Sequence, residues 1–168
     1  MASKALIIIM GASGSGKTTI GQALHHEIGG HFVEADDFHS AANIKKMSSG
    51  TPLNDEDRQS WVKAIVEHIN GRSESTITLA CSALTPYVQA ELKRAQDRQL
   101  VWLYLETDKS LLQERMSTRQ HFMPQSLIDS QIKALTPPVE AIKLDGSLPV
   151  RELVNQCKAS MGRKPIGQ

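Results

Sequence analysis

The residues from Gly11 to Thr18 have the types and the spacing that bind a chain of phosphates. They read Gly11-Ala12-Ser13-Gly14-Ser15-Gly16-Lys17-Thr18 and match the pattern G-x-x-x-x-G-K-[ST]. In this pattern, the backbone N–H groups of a turn of small residues and the N-terminus of the following helix surround the phosphate oxygens. Lys17 reaches the β- and γ-phosphates, and the Thr18 hydroxyl is a ligand for Mg²⁺. We therefore predict that the chain binds a nucleoside triphosphate together with Mg²⁺.

The elements around this loop predict the fold. Five short apolar runs are typical of buried parallel strands, at 5–10, 31–35, 76–81, 100–105 and 141–145. Helical spacing of apolar residues or helix-capping residues indicates helices between and after them, at 17–28, 41–48, from Asn54 towards Gly71, 86–95, 109–119, 126–135 and from about 149. Alternating strands and helices favour an α/β fold, a doubly wound five-stranded parallel sheet with helices on both faces. Ligands bind at the carboxyl ends of the strands in such folds.

Composition limits the classes of function. The chain has 168 residues, a formal net charge of +1, 40% hydrophobic and 22% charged residues, which fits one domain over 1–168. Without a basic block, a small-molecule substrate is favoured over nucleic acid. The apolar run at 5–10 is too short for a membrane span or a signal peptide. Cys81 and Cys157 have no zinc-site spacing, so we expect buried thiols and a cytoplasmic protein.

A cluster of acidic residues follows the second predicted strand, in Glu34-Ala35-Asp36-Asp37-Phe38-His39. At this end of the sheet a carboxylate would face the γ-phosphate, where it could orient or deprotonate an attacking hydroxyl or hold Mg²⁺ through water. Strand alternation places Glu34 and Asp36 on one side and Asp37 on the other, which favours Asp36. The alternative is a solvated acidic turn that caps the next helix, with His39 at the surface.

Beyond the loop, several segments occur in the register of one known family. They are Glu34–His39, Asn43 to Met47, Gly50–Arg58, Trp61, Cys81–Leu84, His121–Pro124 and Ser130-Gln131. With Gly11–Thr18, this series closely resembles the gluconokinases, small P-loop kinases related in fold to shikimate and adenylate kinases. The resemblance covers residues 5 to about 145. Thr85 stands where the family usually has a basic residue, and Val88 where it usually has Arg.

The resemblance implies transfer of the γ-phosphoryl group of ATP to the 6-hydroxyl of D-gluconate. It assigns Lys17 to the phosphates, Thr18 to Mg²⁺ and Asp36 to the proton of the attacking hydroxyl, with His39 on the substrate side. Arg58 resembles a residue that binds the gluconate carboxylate, a role that suits the paired donors of a guanidinium. A surface partner at i,i+3 or i,i+4 on its helix is the alternative role for Arg58. The segment 39–71 is accordingly expected to bind substrate.

The turn Cys81-Ser82-Ala83 resembles the family's substrate-side turn, where small residues let a polyol approach the backbone. Ser82 adds a hydroxyl that can donate or accept, and Ala83 lies beside it. A small-residue packing turn is the alternative. Cys81 is not expected to be a nucleophile, because direct in-line transfer needs none and no partner base is evident. Trp61 belongs to a regular apolar stripe with Ile65 and Ile69 and is expected in the core.

Arg115 and Arg119 are one helical turn apart, so both can point at one anion. In related kinases, arginines of this segment belong to a mobile lid that closes over ATP, which places a lid at about 115–135 here. Closure would exclude water from the transferred phosphoryl group and would bring His121 to the substrate. A solvated basic face is the alternative.

Two other functions stay open on the sequence. One is a kinase for another hydroxylated acceptor, such as shikimate or a nucleotide; against shikimate, Cys81-Ser82-Ala83 replaces the glycine triplet typical of shikimate kinases. The other is a nucleotide-dependent regulatory binding module, although no guanine-reading Asn-Lys-x-Asp segment is present. The family is often dimeric, so a homodimer is possible on the resemblance. No membrane or nucleic-acid partner is expected.

Overall fold

Five strands form one parallel sheet in the computed structural model, which describes residues 3–94, 97–118 and 124–161. The strands are β1 (Ala5–Met10), β2 (His31–Glu34), β3 (Thr76–Ala80), β4 (Gln99–Glu106) and β5 (Ile142–Asp145). Across the sheet they lie in the order β2-β3-β1-β4-β5, so β1 is central and pairs in parallel with β3 and β4. The strand order reverses at β1, which confirms the predicted doubly wound topology.

Seven α-helices connect and follow the strands within the described ranges. They are α1 (Lys17–Ile28), α2 (Ala41–Ser48), α3 (Asp55–Asn70), α4 (Pro86–Arg94), α5 (Lys109–Thr118), α6 (Ile128–Ala134) and α7 (Val150–Met161). The predicted bounds of α1 and α2 match those observed. Among the described residues, no helix has both the length and the apolar composition needed to cross a membrane.

The central strand β1 is apolar on both faces because helices cover both faces of the sheet. Leu6, Ile8 and Met10 pack in one core cluster with residues of α3 and α4. Ile7 and Ile9 pack on the opposite face, in a cluster that includes residues of α1 and α7. Alternate residues of a strand point to opposite faces, so one apolar run supplies both layers of the core.

A third apolar cluster lies at the carboxyl edge of the sheet. Ala12 of the phosphate-binding loop packs there with residues of α2, α5, α6 and the turn before α6, namely Met47, Leu112, Met116, Leu127 and Ile128. This cluster holds three helices against the loop. The side chains at the carboxyl ends of the strands therefore face a walled cleft rather than open solvent.

The segment after β2 differs from the prediction. The strand ends at Glu34, one residue earlier than predicted, and Ala35–Phe38 forms a 3-10 turn. The Glu34 side chain accepts a hydrogen bond from the Asp36 N–H at 3.3 Å and caps this turn. Strand alternation therefore does not apply to Asp36, and the argument that placed Glu34 and Asp36 on one side was wrong. A second 3-10 turn, Gln125–Leu127, replaces the start of the helix predicted at 126–135.

Candidate active site

The phosphate-binding loop takes its shape from glycines in backbone conformations that other residues rarely adopt. Gly14 has φ 85° and Gly16 has φ 96°, both in the left-handed region. A Cβ atom on Gly14 would lie 3.2 Å from the carbonyl oxygen of Leu112 in α5, so the loop also lies close against that helix. Gly16 is the N-cap of α1 and has no side chain that could cover the first amide groups of this helix, and helix N-termini of this kind bind anions.

Lys17 begins α1 and lines the cleft at the carboxyl edge of the sheet. Its Nζ atom donates a hydrogen bond to the carbonyl oxygen of Ala12 at 2.9 Å, so the side chain folds back across the loop. This contact places a cation over the turn whose N–H groups would hold phosphate, as the sequence pattern predicts.

Thr18 and Glu34 form the part of the site that suits a metal ion. The Thr18 hydroxyl donates to Oε2 of Glu34, and Glu34 also caps the turn that carries Asp36. Burial raises the pKa of Glu34, and the negative charge of Asp36 adds to this, while the hydrogen bond from Thr18 and the charge of Lys17 oppose it. No group of three or more His, Cys, Asp or Glu residues that could hold a metal occurs among the described residues. The oxygens of Thr18 and Glu34 still fit Mg²⁺, which keeps several waters and uses few protein ligands beside phosphate.

A cleft of about 250 Å³ joins the loop to the residues predicted on the acceptor side. Ser13, Gly14, Gly16 and Lys17 of the loop line one side of it. The other walls include four predicted acceptor residues from three segments: Asp36 and His39 at the 3-10 turn after β2, Arg58 in α3, and Ser82 in the turn after β3. The structure therefore brings both predicted halves of the site to one cavity.

Asp36 and His39 lie on the wall beside α3. The imidazole of His39 stacks on the indole of Trp61, with 4.6 Å between ring centroids and 5° between the planes. Burial lowers the pKa of His39, so the ring is neutral near pH 7. Its Nε2 atom is 4.0 Å from Oδ1 of Asp36, and with a neutral ring this approach is not an ion pair. His39 is buried, with 7% of its side chain exposed, rather than at the surface.

Trp61 has a second role that periodicity did not predict. It is buried in the core as expected, with 2% of its surface exposed, but it also lines the cleft. Its Nε1–H donates to the carbonyl oxygen of Ala35 at 2.7 Å and so ties α3 to the 3-10 turn. The indole thus fixes the backbone beside Asp36 and supports the ring of His39.

Arg58 projects into the cleft from the first turn of α3. Asn54 and Asp57 form a reciprocal capping box that fixes the start of this helix, as the predicted cap at Asn54 requires. The Nη1 atom of Arg58 donates to Oδ1 of Asp55 at 3.1 Å, and 14% of the Arg58 side chain is exposed. Arg58 therefore makes the i,i+3 pair that was the alternative prediction, and it lines the cleft as well.

The turn after β3 carries two predicted substrate residues, Ser82 and Ala83, which lie in different surroundings. Ser82 lines the cleft, whereas Ala83 is fully buried and outside the cleft lining. Ala83 has φ 45°, an uncommon conformation for a residue with a Cβ atom. The Nε2 atom of Gln89 donates to the carbonyl oxygens of Ala83 at 2.9 Å and Thr136 at 2.7 Å. Burial raises the pKa of the Cys81 thiol to about 12, which disfavours the thiolate that a nucleophilic cysteine needs.

Arg115 lies behind the phosphate-binding loop, outside the acceptor cleft. Its guanidinium donates to the carbonyl oxygens of Gly14 at 3.1 Å, Ser15 at 3.2 Å and Gly146 at 2.9 Å. These bonds connect α5, the loop and the segment after β5. Arg119 and His121 lie outside the described residues, so their predicted roles in a lid stay predictions.

Sequence reasoning assigned no role to two glutamines of the site. The Ser13 N–H donates to Oε1 of Gln131 at 2.7 Å, and Gln131 lines the cleft from α6. Gln131 was part of the family resemblance, but its partner is 118 residues away. Gln89 had no signal in the sequence. Glu34 did have a signal in the sequence, since it shares the acidic segment with Asp36.

Comparisons with known proteins relate the whole chain to one family. Residues 6–138 match the family described as "AAA domain". A "Probable gluconokinase" of Dictyostelium discoideum is 39% identical, over 82% of this chain and 73% of the relative. One of Xenopus tropicalis is 36% identical, over 95% of this chain and 94% of the relative. The crystal structure of a gluconokinase from Sinorhizobium meliloti superposes with a TM-score of 0.84 at 36% identity, over 97% of this chain and 94% of that one.

These relatives are similar to most of the chain. The identity to each exceeds 30%, and the chain covers more than two thirds of each relative. The family match over residues 6–138 includes the phosphate-binding loop and the residues that line the acceptor walls. The chain therefore belongs to the gluconokinase family.

Proposed function

We propose that the protein transfers the γ-phosphoryl group of ATP to the 6-hydroxyl of D-gluconate, giving 6-phospho-D-gluconate and ADP. The observation that carries this proposal is the shared cleft, which Lys17 lines on one side and Asp36, Arg58 and Ser82 line on the others. A nucleotide switch needs no acceptor walls, whereas a phosphotransferase needs both substrates in line. The gluconokinase relatives supply the identity of the acceptor.

The reaction needs little covalent chemistry from the protein. The hydroxyl oxygen of the acceptor forms a bond to the γ-phosphorus, the bond from that phosphorus to the β,γ-bridging oxygen breaks, and ADP leaves with the electron pair. Asp36 orients the hydroxyl and accepts its proton, which then passes to solvent. Lys17 and the N–H groups at the start of α1 stabilise the charge on the phosphates.

Arg58 would bind the carboxylate of gluconate, and Ser82 would bind one of its hydroxyls. A guanidinium has five N–H donors in a planar fork, so Nη1 can stay on Asp55 while other donors hold a carboxylate. His39, neutral and stacked on Trp61, offers ring nitrogens to hydroxyls without adding charge. These residues would distinguish the two ends of a sugar acid. Arg58 presents a cation to the carboxylate end, and Asp36 presents a carboxylate to the end with the reacting hydroxyl.

Mg²⁺ would be held by the Thr18 hydroxyl and, through water, by Glu34. When bound, it supplies positive charge to the phosphate oxygens. For this role Glu34 must be ionised, although burial favours its neutral form in the protein alone. The positive charge of Lys17 already acts in the direction that ionises it.

We also propose the predicted lid at about 115–135, with Arg115 and Arg119 on the nucleotide. The resemblance to related kinases supports the lid, and the bonds from Arg115 to the carbonyls of Gly14 and Ser15 bring the start of this segment next to the phosphate-binding loop. A homodimer remains a proposal based on the family. Light scattering at working concentration would test it, and a mass near twice 18.5 kDa would support it.

A coupled assay of ADP release tests the function. The purified protein is given ATP and Mg²⁺ with gluconate, shikimate or a nucleoside monophosphate, each alone. We expect turnover with gluconate and background rates with the others. Turnover with shikimate or a nucleotide, and none with gluconate, would assign a different kinase. Slow ATP hydrolysis that no acceptor changes would favour a regulatory binding module.

A further inference from the structure

The clamp residue Arg58 is connected to the turn after β3 by a chain of hydrogen bonds. The Thr85 hydroxyl donates to Oδ1 of Asp55 at 2.9 Å. The same oxygen accepts from Nη1 of Arg58 at 3.1 Å. Thr85 follows the turn that carries Ser82, and it is 30 residues from Asp55 in sequence. One carboxylate oxygen thus joins α3 to the turn after β3.

The pair of Asp55 and Arg58 by itself would position the guanidinium poorly. The two residues are separated by one helical turn, and 47% of the Asp55 side chain is exposed. Ion pairs of this kind contribute little and are easily replaced by water. A donor from a second element limits where the Asp55 oxygen can lie, because this oxygen accepts from both Thr85 and Arg58.

The direction of the Thr85 hydroxyl is itself fixed by the start of α4. Its oxygen accepts from the N–H of Val88 at 3.4 Å, and the Thr85 carbonyl accepts from the N–H of Gln89 at 3.1 Å. A hydroxyl has one proton and two lone pairs. With a lone pair towards Val88, the proton is available for Asp55. Thr85 is therefore a helix cap and a donor at once.

We propose that Thr85 is a positioning residue for the acceptor carboxylate, acting through Asp55 on Arg58. This inference rests on the proposed function, in which Arg58 binds that carboxylate. Thr85 itself lies outside the cleft lining and touches no reacting atom. Its effect should therefore appear in the KM for gluconate and not in the KM for ATP. The rate constant kcat should change little, since the γ-phosphoryl contacts are elsewhere.

Three variants of Thr85 separate its two roles. Thr85→Ser keeps the hydroxyl and should keep the KM for gluconate within about twofold of the wild type. Thr85→Val removes both the cap and the donor. Thr85→Asp keeps a good helix cap for Val88 but cannot donate to Asp55, which it also repels. We expect Thr85→Val and Thr85→Asp each to raise the KM for gluconate about threefold to tenfold, the effect of one lost hydrogen bond.

A matched control removes an ion pair of the same spacing away from the cleft. Glu91 and Arg94 form an i,i+3 pair on α4 at 2.8 Å, so Glu91→Gln should leave every kinetic constant unchanged. Thermal unfolding shows whether a variant acts through stability: Thr85→Val should melt earlier than Thr85→Asp, while both share the higher KM.

The outcomes separate this inference from the proposed function. If the wild type phosphorylates gluconate and the KM for gluconate of Thr85→Val and Thr85→Asp matches that of Thr85→Ser, the positioning role is wrong and the function stands. An equal rise in the KM values for gluconate and ATP would mean a general structural effect and would also overturn it. If the wild type has no activity with gluconate, both proposals fail.

Discussion

The two halves of the cleft are built in different ways. The nucleotide half comes from one continuous stretch, Gly11–Thr18, whose shape depends on glycine φ angles and on the start of α1. The acceptor half comes from separate segments, at the 3-10 turn after β2, the first turn of α3 and the turn after β3. Local backbone chemistry thus defines the phosphate site, whereas tertiary contacts define the acceptor site.

This difference suggests how the two halves should respond to change. A substitution in the loop should mainly affect ATP, because the loop depends on its own glycines and on contacts with α5 and α6. A substitution in one segment of the acceptor half should also affect the other segments, because residues such as Trp61 and Asp55 connect them. The halves should depend on each other only where they meet, near Asp36 and Lys17.

The largest effect should come from Asp36→Asn, which tests the place where the two halves of the cleft meet. The amide cannot accept the proton, so we expect kcat to fall by about 100- to 10,000-fold, the usual contribution of a general base. ATP binding, measured by calorimetry with a non-hydrolysable analogue, should be retained. Asp37→Asn changes the exposed neighbouring carboxylate and should stay near the wild type. Near-normal turnover in Asp36→Asn would remove this residue from the mechanism.

A smaller effect, confined to the acceptor half, should come from Arg58→Met. Loss of charged hydrogen bonds to a carboxylate should raise the KM for gluconate by about 10- to 100-fold, with the KM for ATP unchanged. Arg58→Lys should lie between, because an ammonium lacks the planar fork. As a control, Arg94→Lys alters an exposed arginine with the same i,i+3 pairing and should change neither constant. A rise in the KM for ATP would contradict the separation of the halves.

The corresponding change in the nucleotide half is Gly14→Ala. A side chain at φ 85° costs about 1–2 kcal/mol, and the new Cβ atom meets the Leu112 carbonyl. We expect the KM for ATP to rise about threefold to tenfold while the KM for gluconate stays constant. Gly29→Ala is the matched control. Gly29 also has a positive φ, 77°, but a Cβ atom there meets open space, and the residue lies at the far end of α1. It should lower stability without changing either KM.

The smallest effect concerns the pH dependence of stability through His39. Burial lowers its pKa below the ordinary value near 6.5, so the folded ring resists protonation that the unfolded chain accepts. The free energy of unfolding should therefore fall as the pH drops below about 6.5 towards the folded pKa. Between pH 7.5 and pH 5.5, the free energy of unfolding measured with urea should fall less in His39→Gln than in the wild type. His26→Gln, which replaces an exposed histidine, should match the wild type.

The fold and the loop could be predicted from sequence because their signals are local. The apolar run of β1 is buried on both faces, and its two faces supply two core clusters. The glycines of the loop and the capping box at Asn54 act within a few residues of themselves. Asp36 was correctly placed at the carboxyl edge of the sheet, although the reason given, strand alternation, does not hold in a 3-10 turn.

Other parts of the site could not be predicted, because their partners are distant in sequence. Nothing near Gln131 indicates that its side chain accepts from Ser13, and nothing near Gln89 indicates that it holds Ala83 and Thr136 together. Periodicity placed Trp61 in the core and could not show that its face stacks on His39 or that its Nε1–H donates to Ala35. Such contacts depend on how whole helices pack on the sheet.

The sequence by itself determined the sheet, the phosphate-binding loop and the types of the side chains at the carboxyl edge. It did so because backbone conformation, capping and strand burial depend on neighbouring residues. The tertiary structure decided which of those side chains share a cleft: Asp36, His39, Arg58 and Ser82 line it, whereas Ala83 is buried and Arg115 lies behind the loop. The physical reason is that helix packing and long-range hydrogen bonds, not local propensity, set distances between segments.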